Sequence, residues 1–274
     1  MTNEKQNVDK QYVASVAKAV QILSCFRPAT PLLGNQDIAT RCGMPKSTVA
    51  RFLYTLSKLD CLEYDNRHDK YRLGSRIATL GHSRSAGDDI AEQLQPAMRR
   101  LALEHDCLVT LGAYEDASIV CLAGARGPST QAPSVEPGMH VSVFSTAMGR
   151  AYLASCGRLE RQRILDQAVR RKPTEAEALG KMVHSAVAEY SRRGVCTTIE
   201  GWRRGHNGIA VPLFLKQHGR RLTLGCGAPS RELTPERVFT ELSQALLATA
   251  NEIEVAFERR ARMARTRQPP PRRL

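Results

Sequence analysis

The sequence predicts an α+β fold in two parts, and three observations carry that prediction. A helix–turn–helix pattern followed by two short alternating segments fills the first quarter of the 274 residues. Beyond it, segments of strand character are interrupted by amphipathic helical ones. The net charge of +13 is also unevenly spread. Residues 1–85 hold 13 Lys and Arg against 7 Asp and Glu, residues 257–274 hold 7 Arg against Glu258 alone, and the stretch between is nearly neutral. Only the two ends therefore carry the excess positive charge that a polyanion attracts.

The N-terminal segment 1–11 (MTNEKQNVDKQ) is polar, so it is expected to be disordered, and it lacks the apolar run of a signal peptide. Val16, Ala19, Val20, Leu23 and Phe26 then recur at helical spacing and predict a first helix. Asn35 can cap a second, with Ile38 and Ala39 on its buried face. Cys42-Gly43-Met44 makes a turn in which glycine tolerates positive φ, and Pro45 suits the first position of a third helix. There Val49, Phe52, Leu53, Leu56 and Leu59 form one apolar stripe. The opposite face carries Ser47, Ala50, Arg51, Tyr54 and Lys58, flanked by Lys46 and Thr48.

A helix anchored on one side, with small, hydroxyl and cationic groups on the other, suits a DNA major groove. Taken alone, the segment also fits a helical hairpin with a solvated polar face. Its surroundings favour DNA. Leu62-Glu63-Tyr64 and Tyr71-Arg72-Leu73 alternate around a polar tip, a β-hairpin that completes a winged helix-turn-helix over residues 12–74. The expected roles are base contacts for Ser47, Ala50 and Arg51, and phosphate contacts for Lys46, Thr48, Tyr54 and the wing residues Arg67 and Lys70, with His68 and Arg72 near them.

Residues 75–87 read as a partly helical linker, and 88–260 as the second domain. Asp88 is placed to cap a helix through Ile90, Leu94, Met98 and Leu101, which Pro96 should bend or split. A hairpin follows, Leu108–Tyr114 and Ser118–Ala123 about a turn at Glu115-Asp116, then a Gly/Pro/Ser-rich loop to Gly138. A strand is expected at Val141–Val143 and helices over Thr146–Ser155, Leu159–Arg170 and Thr174–Arg193. Strands return at Val195–Ile199, Ile209–Leu215 and Arg221–Cys226. Thr234 and Pro235 open a long helix, and the Arg- and Pro-rich tail 261–274 is expected to be disordered.

Several function classes are excluded or demoted. No apolar run reaches the length of a membrane span, and with no leader the expected location is cytoplasmic. The eight cysteines form no CxxC pair and no zinc-ligand spacing, so free thiols and neither metal nor cofactor are expected. No HExxH, GxSxG or P-loop pattern appears, and Gly201–Gly208 lacks the strand-to-helix setting of a phosphate loop. Glu200 with His206 offers an acid–base pair, and Cys196 or Cys226 a redox site, each against the simpler reading of an accidental neighbour or a buried thiol. Arg203 and Arg204 can meet a ligand carboxylate or merely solvate a loop.

The motifs GMPKSTVARFLYTL (Gly43–Leu56), YRLG (Tyr71–Gly74) and TAMGRAYLA (Thr146–Ala154) stand in order with RRGVCTTIEGWRRGHNGIAVPL (Arg192–Leu213) and LTLGCGAPSR (Leu222–Arg231). In this the chain resembles the IclR family of bacterial transcriptional regulators over about residues 12–258. The resemblance implies a C-terminal effector-binding domain of GAF-like topology, dimers often paired into tetramers, and control of a nearby metabolic operon by a small molecule. It places the effector against Ser145, Thr146, Ala147 and Met148, near Glu200 and Trp202, with Gly208, Gly225 and Gly227 where the family carries a cysteine and two small hydroxyl residues. Three glycines predict a wider pocket and a bulkier effector, an aromatic or medium-length carboxylate held by Ser145, Thr146 and backbone N–H groups. If Met148, Phe144 or Trp202 refills the space, the chain is instead an effector-independent DNA-binding dimer. A metabolic enzyme with an accessory DNA-binding module is the alternative from another class.

Overall fold

The computed structural model describes residues 11–27, 30–88, 90–133 and 135–267. The chain parts into two compact units at residues 89 and 90. In the first, three helices (α1, Ala14–Leu23; α2, Asn35–Cys42; α3, Lys46–Lys58) precede a two-stranded antiparallel ribbon (β1, Leu62–Asp65; β2, Lys70–Leu73). Ile22, Leu33, Ile38, Val49, Leu53, Leu56 and Leu62 close their common core. Leu33 also exchanges two backbone hydrogen bonds with Tyr71, of 3.0 and 2.8 Å, which ties the chain ahead of α2 to the wing.

Local details depart from the sequence expectations. In α1 the helix turns Ala19 and Ile22 inward, while Val16 and Val20 are 60% and 57% exposed. Asn35 does not cap α2. Gly34 occupies the cap, and Asp37 Oδ2 accepts from the Gly34 N–H at 2.9 Å, so the first-turn carboxylate satisfies the orphan donor. Pro45 is likewise the cap of α3 rather than its first residue, with φ −58° and an extended ψ of 140°. Leu59 closes α3 but is 49% exposed. Gly43 does take the left-handed conformation, at φ 62°, as the tight α2–α3 turn requires.

A continuous helix, α4 (Ser75–Asp88), replaces the partly helical linker and absorbs Asp88, so that residue ends one helix instead of capping the next. In the second unit α5 (Ile90–His105) runs unbroken through Pro96. Ile90, Leu94, Met98 and Leu101, all buried against the sheet, supply more than the roughly 3 kcal/mol an internal proline costs.

Six strands follow: β3 (Leu108–Glu115), β4 (Ser118–Arg126), β5 (His140–Ser142), β6 (Cys196–Ile199), β7 (His206–Leu215) and β8 (Arg220–Pro229). They form one antiparallel sheet in the order β5-β4-β3-β8-β7-β6. The β3–β4 turn lies at Asp116-Ala117, one residue later than expected, and both residues have positive φ. Between β5 and β6 come α6 (Ala147–Ser155), α7 (Arg158–Arg171) and α8 (Ala176–Arg193). After β8, a helical turn α9 (Pro235–Arg237) and a π-helical turn lead into α10 (Ser243–Arg267). The tail expected from residue 261 is therefore helical as far as Arg267. Segments 1–10 and 268–274 lie outside the described residues.

Strand alternation splits the core in two. Val109, Leu111, Ile209, Val211, Leu213, Leu222 and Leu224 face α5 and α10, whereas Ile119, Cys196 and Ala210 face α6 to α8. Among the described residues no helix is long and apolar enough to cross a membrane.

Candidate nucleic-acid interface and ligand cavity

The outer face of α3 presents Lys46, Ser47, Ala50, Arg51, Tyr54 and Lys58 to solvent, with Thr48 half-buried beside them. The three residues that fix the helix from below, Val49, Leu53 and Leu56, are buried. Lys58 Nζ lies 5.6 Å from the Tyr54 ring centroid, so ring and cation share one surface.

The wing sorts its own charges. Arg72 makes a two-pronged pair with Glu63, at 2.7 and 3.1 Å, and that guanidinium holds the Glu63 carboxyl below its usual range. Asp65 accepts from the Arg67 N–H at 2.9 Å and meets His68 Nδ1 at 3.1 Å, contacts that also lower its titration. Arg72 and His68 are thus engaged within the ribbon. For Arg67 and Lys70, as for Lys46 and Arg51, no ion pair is found among the described residues, which leaves their charge outward.

In the second unit an open cavity sits over the β3–β8–β7 face and the start of α6. Thr146, Ala147, Met148, Trp202, Gly208, Gly225 and Gly227 line it. Ser145 and Glu200 do not. Glu200, at φ 52°, turns its side chain to solvent and contributes its backbone N–H, which donates to Asn207 Oδ1 at 3.0 Å. Arg203 and Arg204 are exposed and outside the lining.

The lining also takes Leu108, Thr110, Cys121, Thr198, His206 and Asn207, together with Ala132, Pro133 and Val135 of the loop before β5. No Asp, Glu, Lys or Arg is among them. Register explains the strand residues, because Thr110 lies opposite Gly225 and Thr198 opposite Gly208 on neighbouring strands. That signal was present once the strands were paired.

The three glycines do different work. A Cβ at Gly225 would lie 2.6 Å from Met148 Cγ and 3.2 Å from its Sδ, and one at Gly112 would overlap Met148 Cε. Met148 therefore fills the space that Gly225 vacates. At Gly208 and Gly227 a Cβ would meet nothing nearer than 3.4 Å, and there the cavity keeps its extra room. The expectation of three widening glycines is corrected to two.

Thr146 is committed to structure. It caps α6, accepting from the Gly149 N–H at 3.1 Å and donating to the Ser142 carbonyl at 2.6 Å. The N–H groups of Ala147 and Met148, in the first turn of α6, have no intrahelical acceptor and belong to cavity-lining residues. A helix start of this kind offers donors and a partial positive charge.

Residues 15–66 match the IclR helix-turn-helix domain, and residues 84–255 match the C-terminal domain of the bacterial transcriptional regulator IclR. The chain belongs to the IclR family of bacterial transcriptional regulators. The HTH-type transcriptional regulator TsaQ1/TsaQ2 of Comamonas testosteroni is 28% identical over 244 residues, 88% of this chain and 87% of that protein. A solved IclR-family structure from Brucella abortus shares 31% identity and superposes with a TM-score of 0.82, covering 92% of this chain and 96% of that one. An IclR homologue of Microbacterium hydrocarbonoxydans, solved with 4-hydroxybenzoate, shares the fold at 22% identity and a TM-score of 0.66, over 89% and 98% of the two chains.

As an IclR-family member the chain is a DNA-binding transcriptional regulator rather than an enzyme. The residues weighed for catalysis agree with that assignment. Glu200 and His206 meet through a backbone hydrogen bond of 3.1 Å, and the His206 ring turns to the Arg204 carbonyl at 3.2 Å. Cys196 is buried, donates to the Ala186 carbonyl at 3.5 Å, and is pushed up to about 12 by burial. A hydrogen bond with Cys107 and burial raise Cys226 as well, so both thiols favour the protonated, poorly nucleophilic form.

Proposed function

We propose that this regulator reads a specific duplex through α3 and is controlled by an organic acid bound in the cavity of its second unit. The observation that carries the first half is the outer face of α3, with small and cationic residues opposite the buried Val49, Leu53 and Leu56. Ser47, Ala50 and Arg51 address base edges; Lys46, Thr48, Tyr54, Arg67 and Lys70 address phosphates. Replacing Arg51 by alanine is expected to cost roughly 1–3 kcal/mol on the cognate duplex and to relax specificity. Replacing Lys70 weakens all duplexes alike and lowers the salt slope by about one. Selection from a random-sequence pool supplies the cognate duplex, and anisotropy titrations at several salt concentrations read both effects. Unchanged affinity in the Arg51 variant would show that another face reads the DNA.

The second half rests on a mostly apolar cavity that begins at the free N–H groups of α6 and holds no charged side chain. A carboxylate placed on the Ala147 and Met148 N–H groups, with an apolar body over Gly208 and Gly227, fits that arrangement. Relatives point the same way: one is named for the Pca regulon of Pseudomonas putida, and another was solved with 4-hydroxybenzoate. The acid is therefore an aromatic or medium-length carboxylate, and the target a nearby metabolic operon in the cytoplasm. Met148 in the Gly225 slot favours a smaller body than three open glycines would allow.

One winged unit reads too few base pairs for useful specificity, so the regulator acts as at least a dimer. Tyr12, Val13, Val16 and Val20 form an exposed apolar stripe at the start of the chain, which a second copy can cover together with the segment 75–95. Light scattering at micromolar concentration is expected to give a dimer or tetramer, and half-sites about one turn apart, ~10 bp or a multiple. A stable monomer with and without DNA would contradict this.

A further inference from the structure

Two cysteines in the winged unit face each other. Cys25 Sγ, in the turn that follows α1, lies 3.2 Å from Cys42 Sγ, on the last residue of α2. Both thiols point at one acceptor, the Gln21 carbonyl, at 3.4 Å from Cys25 and 3.9 Å from Cys42. The Gln21 side chain returns a hydrogen bond to the Cys42 carbonyl at 3.2 Å, so one residue of α1 holds both sulfurs in place. Cys25 is buried at 8% exposure, whereas Cys42 is half-buried and reachable from solvent. Closing a disulfide of ~2.05 Å from this separation needs only about 1.2 Å of movement. The other neighbouring pair, Cys107 and Cys226, is buried at 1% and 4% exposure.

We propose that Cys25 and Cys42 form a reversible oxidation site, closed by a peroxide, that staples α1 to α2 and weakens DNA binding. Cys42 gives up its proton and its sulfur attacks the peroxide oxygen, breaking the O–O bond and leaving a sulfenic acid and one water. The Cys25 sulfur, already in contact, then displaces the hydroxyl, which leaves with the Cys25 proton as a second water. Two thiols are oxidised to one disulfide, and the peroxide takes both electrons. Burial and the adjoining Cys25 sulfur push the Cys42 thiol up to about 12, so little thiolate is present and the attack on peroxide is slow, which calls for a peroxide in excess.

The consequence for DNA rests on reading α3 as the recognition helix. Cys42 stands one residue before Gly43, whose left-handed conformation aims α3, and two backbone bonds close that turn, Gly43 N–H to Thr40 and Met44 N–H to Ala39. Drawing Cys42 toward α1 pulls on the hinge of the reading head.

The full-length protein, treated with excess hydrogen peroxide at low protein concentration, is expected to lose two of its eight free thiols. Peptide mapping should show a single Cys25–Cys42 link, reversed by dithiothreitol. Affinity for the duplex selected by the reduced protein should fall several-fold and recover on reduction. Cys25→Ser and Cys42→Ser, checked for folding by their thermal melts, should bind that duplex with no loss on oxidation. A mapped link elsewhere, an intermolecular disulfide, or a Cys25–Cys42 link without change in affinity would each overturn the proposal. Failure of the reduced protein to select any duplex would instead strike the DNA-reading assignment, while the mapping would still decide whether the site closes.

Discussion

Replacing Glu189 by alanine is expected to destabilise the cavity-bearing unit by roughly 3–5 kcal/mol, the range for breaking a buried ion pair. Glu189 on α8 receives Arg150 of α6 at 2.8 Å, and the two side chains are only 11% and 14% exposed. Its other oxygen accepts from the Thr197 N–H at 3.1 Å and the Thr197 hydroxyl at 2.5 Å. Removing the carboxylate strands a buried guanidinium, whose Nε already lacks a partner, and two donors at the start of β6. The cost comes from uncompensated charge rather than from the pair's own attraction. The double change Arg150→Met with Glu189→Leu should therefore recover the part that comes from the stranded charge, leaving the two Thr197 donors unpaired. Urea melts of the parent protein and the two variants check this, and a double variant as unstable as the single one would show that the network contributes more than its charges.

The second large effect is expected at Gly149. An alanine Cβ there would overlap the Val143 carbonyl and Cα, which are backbone and cannot swing aside as a side chain can. α6 lies that close because Thr146, four residues past the end of β5, caps it while bonding back to Ser142, and the cavity wall is built from the same turn. Helix propensity alone favours alanine over glycine by about 1 kcal/mol. The clash outweighs it, and a net loss of about 2–3 kcal/mol is expected for Gly149→Ala. Gly180, in α8, supplies the contrast, since a Cβ there meets nothing within 4 Å. Gly180→Ala should stabilise by up to about 1 kcal/mol. Equal effects of the two substitutions, read from denaturant midpoints, would refute the close-approach explanation.

Periodicity made α3 and its two faces legible. Val49, Leu53 and Leu56 mark the inner side of α3, and the polar residues opposite follow from the helical repeat alone. The outward turn of Val16 and Val20 was not legible, because an apolar stripe does not say whether its own core or another surface covers it. Asn35 and Asp37 both suit a helix start, and the choice between them lies in the backbone of Gly34. The helix that continues through Arg262 to Arg267 was hidden by a composition that resembles a solvated tail, although alanine, arginine and methionine are strong helix formers.

The cavity divides the same way. The family resemblance pointed to the turn before α6 and to the late glycines, but the lining by Thr110, Cys121 and Thr198 depends on strand register across the sheet. Likewise, Met148 occupying the Gly225 slot is a contact between distant residues that no local pattern encodes.

Trp202 offers the most direct test of a DNA reader governed from this cavity. It is the only tryptophan of the chain, lines the cavity and is 38% exposed, so its emission reports occupancy without a label. The full-length protein bound to its selected duplex would be titrated with 4-hydroxybenzoate, a medium-length aliphatic acid and glyoxylate. Trp202 emission and duplex anisotropy would be followed in the same samples. A larger acid should change both signals, saturating at one common concentration, with glyoxylate far weaker. A shift in duplex affinity without any response from Trp202, or silence of both signals across the acids, would contradict control of DNA binding through this site.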